Sequence, residues 1–181
     1  MTWEIEETAI DGCFLVHYPI FKDERGFFAE IYKASVFKEL KLPYLNQDNF
    51  LYSIRGAIRA MHWQSEPYTQ AKLVHVIKGS IFDVIYDLRE DSRTVGKYAN
   101  FNLNEGSPML YVPAGCAHGF QTTSDDSIVT YKTDKEYEPK SQNSFLWNDP
   151  EVGIEWPIPN AIVSEKDAAA PLLKNVMYSH E

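Results

Sequence analysis

The 181-residue chain has only two cysteines, Cys13 and Cys116, and no framework of paired thiols. So sparse a set excludes a disulfide scaffold and fits a reducing compartment. Positive charge is also scarce. Seventeen Lys and Arg face 26 Asp and Glu, and the net charge of −9 disfavours non-specific binding to nucleic acid or membrane surfaces. No apolar run reaches membrane-spanning length, and the opening MTWEIEETAID lacks a basic-then-apolar leader. These absences predict a cytoplasmic protein that works without nucleic acid or membrane. The chain carries no P-loop, no GxGxxG and no CxxC. Helical signal is thin as well, confined to Ser35–Leu40 and a short stretch between Asp167 and Asn175.

What remains is β pattern. The 10 Phe, 4 Trp and 11 Tyr suit pleated surfaces, on which large rings pack well. Short strands are expected at Cys13–Tyr18, Phe27–Tyr32, FLYSI, AIRAMHWQ, Lys72–Ile77, Ile81–Leu88, Lys97–Leu103, Met109–Val112, Phe120–Thr123 and Ser127–Lys132. Turn signals separate them at intervals of roughly 8–12 residues, the spacing of a sandwich or barrel. The expectation is one all-β domain over residues 1–181, with a barrel core at about 12–133. The Trp- and Pro-rich C-terminal segment would pack across that core.

Chemistry concentrates in Arg55–Gly79, RGAIRAMHWQSEPYTQAKLVHVIKG. Polar groups planted in an apolar β pattern are costly unless they find partners or serve a ligand. His62 can exchange a proton near neutral pH, its reference pKa being about 6.5. A lone histidine here is also readable as a hydrogen-bonded core residue; Gln64 and Lys72 close by favour a site. Strict alternation puts Ile58, Ala60, His62 and Gln64 on one face and Arg59 on the other. Arg59 and His62 can therefore share a site only through a bulge or at the strand's end. Arg25, Arg59, Lys72 and Lys166 could converge on a phosphate, with arginine suited to a diphosphate. Tyr131 and Tyr137 bracket a polar strand end, where a phenol beside a cation can donate a proton. Asp167, in SEKD, reads by itself as a carboxylate at a helix N-terminus.

Pro113–His118 has the spacing P-x-G-x-x-H and resembles the second motif of the cupin barrels, in which the histidine is often a metal ligand. The first cupin motif needs H-x-H with a carboxylate, whereas this chain has His62-Trp63-Gln64. Two imidazoles without a placed carboxylate make a poor divalent site, so no metal is expected.

Taken in order, DERGFFAE, QDN, IRAMHWQ, AKLVHVIKGSIFDVIYDLR, VPAGCAHGF, YKTDKEY, WNDPEVGIEWP and SEKDAAAPLL resemble the dTDP-4-dehydrorhamnose 3,5-epimerase family. The similarity runs from about Cys13 to Leu173. It implies a cupin-like double-stranded β-helix, or jelly-roll barrel, with a few short helices. It also implies an isomerase that inverts C3 and C5 of dTDP-4-dehydro-6-deoxy-D-glucose through an enolate, giving dTDP-4-dehydro-L-rhamnose. By the same resemblance His62 is the base, oriented by Asp167, and Tyr131 is the acid on the opposite sugar face. Lys72, with His118 nearby, would stabilise the oxyanion formed from the C4 ketone. Arg25, Glu30, Gln47, Asp48, Asn49 and Arg59 would hold the nucleotide and diphosphate, with Phe28 against the base and Lys166 assisting.

The resemblance further implies a homodimer in which the N-terminal strand crosses over, so that Arg25 to Glu30 serve the neighbouring site. No cofactor is required, because the ketone is already the electron sink. Two departures stand out. The family's R-G-x-H is here Arg59-Ala60-Met61-His62, an added methyl expected to narrow the pocket. A glutamate expected before the W-N-D block is Gln142, and its contact is not carried over. The alternatives are a relative inverting only C3 or only C5, and a non-catalytic or metal-binding cupin holding a small anion.

Overall fold

A computed structural model of the chain describes residues 2–177. The strands are β1 (Glu4–Glu7), β2 (Phe14–His17), β3 (Ile20–Asp23), β4 (Gly26–Ala29), β5 (Gln47–Ser53), β6 (Ala57–Gln64) and β7 (Lys72–Lys78). They continue with β8 (Ser80–Asp87), β9 (Tyr98–Asn104), β10 (Met109–Val112), β11 (Cys116–Thr122), β12 (Ser127–Thr133), β13 (Gln142–Ser144) and β14 (Ile162–Val163). The helices are α1 (Ala34–Glu39), α2 (Glu165–Ala168) and α3 (Leu173–Met177). None of the described helices is long and apolar enough to cross a membrane.

One sheet runs β1-β2-β10-β7-β12-β5 and the other β13-β6-β11-β8-β9, with β14 added to β6; β3 and β4 form a separate hairpin. Alternation builds the layers. On β8, Ile81 and Ile85 point between the sheets into a cluster with Val74, Val76, Leu110 and Phe120. Phe82 and Val84 point the other way, into a cluster closed by Phe145, Ile154 and Leu173 from the C-terminal segment. A third cluster, around Phe37 of α1, covers the outer face of the first sheet through Val16, Leu73 and Met109. The product is an all-β, two-sheet jelly roll of the cupin type.

The C-terminal segment does more than pack across the sheets. Both β13 and β14 come from it, and they pair with β6, at Gln64–His62 and Ala57–Ile58 respectively. Both pieces are too short to show a two-residue period, which is why the sequence gives no warning of them. The predicted Asp167–Asn175 helix is two short helices separated by Pro171, whose ring cannot continue an α-helix.

Candidate active site

Between the sheets lies a cavity of about 470 Å³, within the range of small-molecule sites. Its walls come from five strands and the tail: Arg59 and His62 of β6, Lys72 of β7, His118 and Phe120 of β11, Tyr131 of β12 and Leu51 of β5. Ile162, Val163, Lys166 and Asp167 close one side, and Gln142 stands at another.

Arg59 and His62 reach the same cavity because β6 bulges. Phe120 pairs with Arg59 and His118 with His62, so two steps on β11 face three on β6. The extra residue turns Ala60 and Met61 together into the outer cluster and returns His62 to the inside. The bulge brings the strands so close at Gly119 that a Cβ there would stand 2.3 Å from the Cβ of Ala60 and 2.9 Å from the Arg59 carbonyl oxygen. Glycine is therefore the residue this crossing accepts. The Ala60 methyl, expected to narrow the pocket, is instead fully buried in the outer core and lines no part of the cavity.

His62 Nε2 lies 2.8 Å from Asp167 Oδ1, a pair formed across 105 residues. The carboxylate is delivered by α2, whose N-cap Ser164 accepts from the Asp167 backbone N–H at 3.1 Å. Burial pushes the Asp167 carboxyl upward, but the hydrogen bond and charge of His62, with help from Ser164, hold it below the usual carboxylate range. It is therefore an ionised partner that fixes the imidazole and leaves Nδ1 for other work.

A second pair stands beside the first. His118 Nε2 lies 3.0 Å from both oxygens of Asp83, whose side chain is fully buried. Asp83 was not singled out from the sequence, although a carboxylate inside the apolar run IFDVIYDL is the same kind of signal that marked His62. Lys72 Nζ approaches the His62 carbonyl oxygen at 3.4 Å. Burial draws its ammonium down to about 8, against an opposing pull from Asp83. Burial likewise raises the Tyr131 phenol above its ordinary value, partly offset by the Arg59 charge.

Arg59 donates to Ser53 Oγ at 3.2 Å and stays exposed, and Lys166, also exposed, lines the same cavity. Gln142 accepts from the Tyr137 hydroxyl in a short hydrogen bond. Gln64 is spent on structure: its amide bonds the Tyr68 carbonyl and the Glu138 N–H, tying two loops to β6.

Several predicted ligand contacts fall outside the cavity of this chain. Gln47 and Asn49 sit on the inner side of β5 and bond each other at 3.0 Å, without lining the cavity. Asp48, one residue out of phase, turns to the outer face and pairs with Lys132 at 2.5 Å. Strand alternation alone separates it from its two neighbours. Arg25, Phe28 and Glu30 belong to the β3–β4 hairpin region and are not among the residues lining the cavity. Arg25 pairs with Asp23 at 2.6 Å, Glu30 with Lys33 at 3.6 Å, and Phe28 is 65% exposed against Phe21. His118 follows the Pro113–Gly115 turn as predicted, but as the third residue of a strand beginning at Cys116.

Among the described residues no group of three or more His, Cys, Asp and Glu could hold a metal ion. The two imidazoles at the cavity are each engaged by a carboxylate through Nε2.

Comparison with known proteins bears on the fold and the family. The family model for dTDP-4-dehydrorhamnose 3,5-epimerase matches residues 7–175. A dTDP-4-dehydrorhamnose 3,5-epimerase of Methanothermobacter thermautotrophicus is 40% identical over 179 residues, covering 95% of this chain and 96% of the relative. A crystal structure of the enzyme of that name from Bacillus anthracis, with TDP and PPi bound, superposes with a TM-score of 0.91 at 40% identity, covering 95% and 100% of the two chains. One from Legionella pneumophila, in complex with dTDP-4-keto-L-rhamnose, gives 0.90 at 38% identity, covering 96% and 94%. A match of this extent, in sequence and in fold, makes the chain a member of the dTDP-4-dehydrorhamnose 3,5-epimerase family.

Proposed function

We propose that the chain inverts C3 and C5 of dTDP-4-dehydro-6-deoxy-D-glucose, giving dTDP-4-dehydro-L-rhamnose. The observation that carries this reading is the placement of His62 and Tyr131 on opposite sheets across one cavity. Inversion needs a base on one face of the sugar and an acid on the other. His62 removes the proton α to the C4 ketone while Asp167 stabilises the imidazolium that forms. Tyr131 returns a proton from the far side. Lys72 and the His118–Asp83 pair stand by the ketone oxygen, where charge develops in the enolate. Fixed charge at such an oxygen is usually the largest single contribution to an enolisation site, and proton transfer adds about 10²–10⁴-fold per group.

Arg59 and Lys166 supply cations at the mouth for the diphosphate. The exposed hairpin carrying Arg25 and Phe28, with Glu30 just beyond it, completes the nucleotide subsite of a second copy in a homodimer; light scattering on the purified protein tests that assembly. Neither metal nor cofactor enters, since the ketone takes the electron pair.

The test is incubation with the 4-keto-6-deoxy substrate in D₂O. Deuterium at both C3 and C5 of an inverted product is expected. Label and inversion at one carbon alone would make this a mono-epimerase, and no label at either would end the enzymatic reading. Tyr131→Phe separates the two roles: deuterium should still wash into the starting sugar from the His62 face while inverted product falls about 10²-fold.

A further inference from the structure

Two inversions in one binding event leave a proton imbalance. After the first, His62 holds the proton it took and Tyr131 has lost the one it gave. The second inversion needs a neutral imidazole and a protonated phenol again. The two groups stand on opposite sheets with the sugar ring between them, so neither can hand its proton directly to the other.

One side chain stands between their strands. Lys72 lies on the inner face of β7, the strand hydrogen-bonded to β12. Val74, two residues on, is the direct cross-strand partner of Tyr131, which makes Lys72 its diagonal neighbour. Such neighbours have Cβ atoms about 7–8 Å apart, within reach of a four-carbon stem. Lys72 Nζ already lies 3.4 Å from the backbone oxygen of His62, on the other sheet. The amine is thus strung between the strand of the acid and the strand of the base, at the floor of the cavity that both line.

Given the double-inversion reading above, on which this inference rests, we propose that Lys72 resets the acid–base pair between the two inversions. Its ammonium gives one proton to the Tyr131 phenolate, and the resulting amine takes the proton from the His62 imidazolium. The net change is one proton moved from His62 to Tyr131, with Lys72 restored and no other reactant consumed. The first transfer runs downhill, because burial draws the Lys72 ammonium down to about 8 and raises the Tyr131 phenol above its ordinary value of about 10. Of the charged groups nearby, Asp83 acts on it directly and bonds His118, while Arg59, Lys166 and Asp167 line the same cavity.

The relay is read from the ratio of doubly to singly inverted sugar released early in the reaction, with deuterium at C3 and C5 counted in D₂O. The parent protein should release chiefly doubly inverted sugar, at a ratio independent of buffer concentration. Lys72→Arg keeps a cation for the ketone oxygen but cannot give up its proton. Its ratio should fall about tenfold or more, and ethylamine added to the medium should raise it again. A parent ratio that climbs with buffer concentration, or a Lys72→Arg ratio equal to the parent's, overturns the relay. The buffer series on the parent protein decides the matter even if Lys72→Arg fails to fold. Absence of deuterium from the parent's product would sink the epimerase reading itself, a result distinct from any change in ratio.

Discussion

The two histidine–aspartate pairs make an instructive contrast. They use the same groups at 2.8 and 3.0 Å, and their histidines are cross-strand partners. Their surroundings differ. His118 and Asp83 lie on adjacent strands of one sheet, with side chains 7% and 0% exposed. His62 is 25% exposed, and its aspartate is brought from the tail by a four-residue helix. The first pair is woven into the sheet before any ligand arrives. The second is assembled by docking, and it keeps one imidazole edge open. Access and construction, rather than chemistry, make one a candidate for moving protons and the other a fixed support beside Lys72.

If that division is right, the pairs should fail in different ways. His62→Ala should abolish turnover and solvent exchange together, by about 10²–10⁴-fold, with little change in melting temperature; kinetics and calorimetry on one preparation would show it. A His62→Ala protein that exchanges as fast as the parent would move the base elsewhere. Asp83→Ala should invert the pattern, because it strands a buried imidazole. A stability loss of about 3 kcal/mol or more is expected in denaturant titration, whatever happens to rate. An Asp83→Ala protein as stable as the parent would erase the contrast.

Asp167→Asn should leave the fold nearly intact and slow epimerisation by about 10–100-fold, the equivalent of one charge-assisted hydrogen bond of roughly 1.5–3 kcal/mol. The smallest effect belongs to Ser164→Ala. Loss of the α2 cap should cost about 1 kcal/mol, felt as a several-fold rate loss through Asp167, and hydrogen exchange confined to residues 162–169 would locate it. Acid titration sharpens the same point. Asp167 is held below its unfolded value, so its contribution is present above about pH 4 and is lost as pH falls through the folded value. Tail protection should weaken below about pH 4, before the sheets do.

Much of the barrel is legible in the chain because period and burial agree there. Met109–Val112 stands as expected, and Lys72–Lys78 and Ser80–Asp87 differ from expectation by a residue. Even the bulge in β6 could be anticipated, since Arg59 and His62 cannot otherwise share a face. Asp167 was different: nothing local distinguishes it from a helix-end carboxylate, and its partner lies 105 residues away. Gln47, Asp48 and Asn49 enter by resemblance as one block, whereas the strand splits them between two faces, Gln47 and Asn49 inward and Asp48 outward. The hairpin residues Arg25 and Phe28 do not line the cavity of this chain, and the role proposed for them needs a second copy.

Both strands that cover the free edge of β6 come from the last third of the chain, and so does the helix bearing Asp167. Synthesis runs from the N-terminus, and early segments begin to fold as they emerge. A ribosome that has just released β12 has delivered His62, Lys72 and Tyr131, yet the imidazole still lacks its carboxylate and the cavity lacks a wall. Under the proposed roles, competence to form an enolate therefore arrives only once the segment bearing Asp167 has been made and docked. On that reading, a chain stopped after β12 would hold the groups of the site without the carboxylate and wall that make it work.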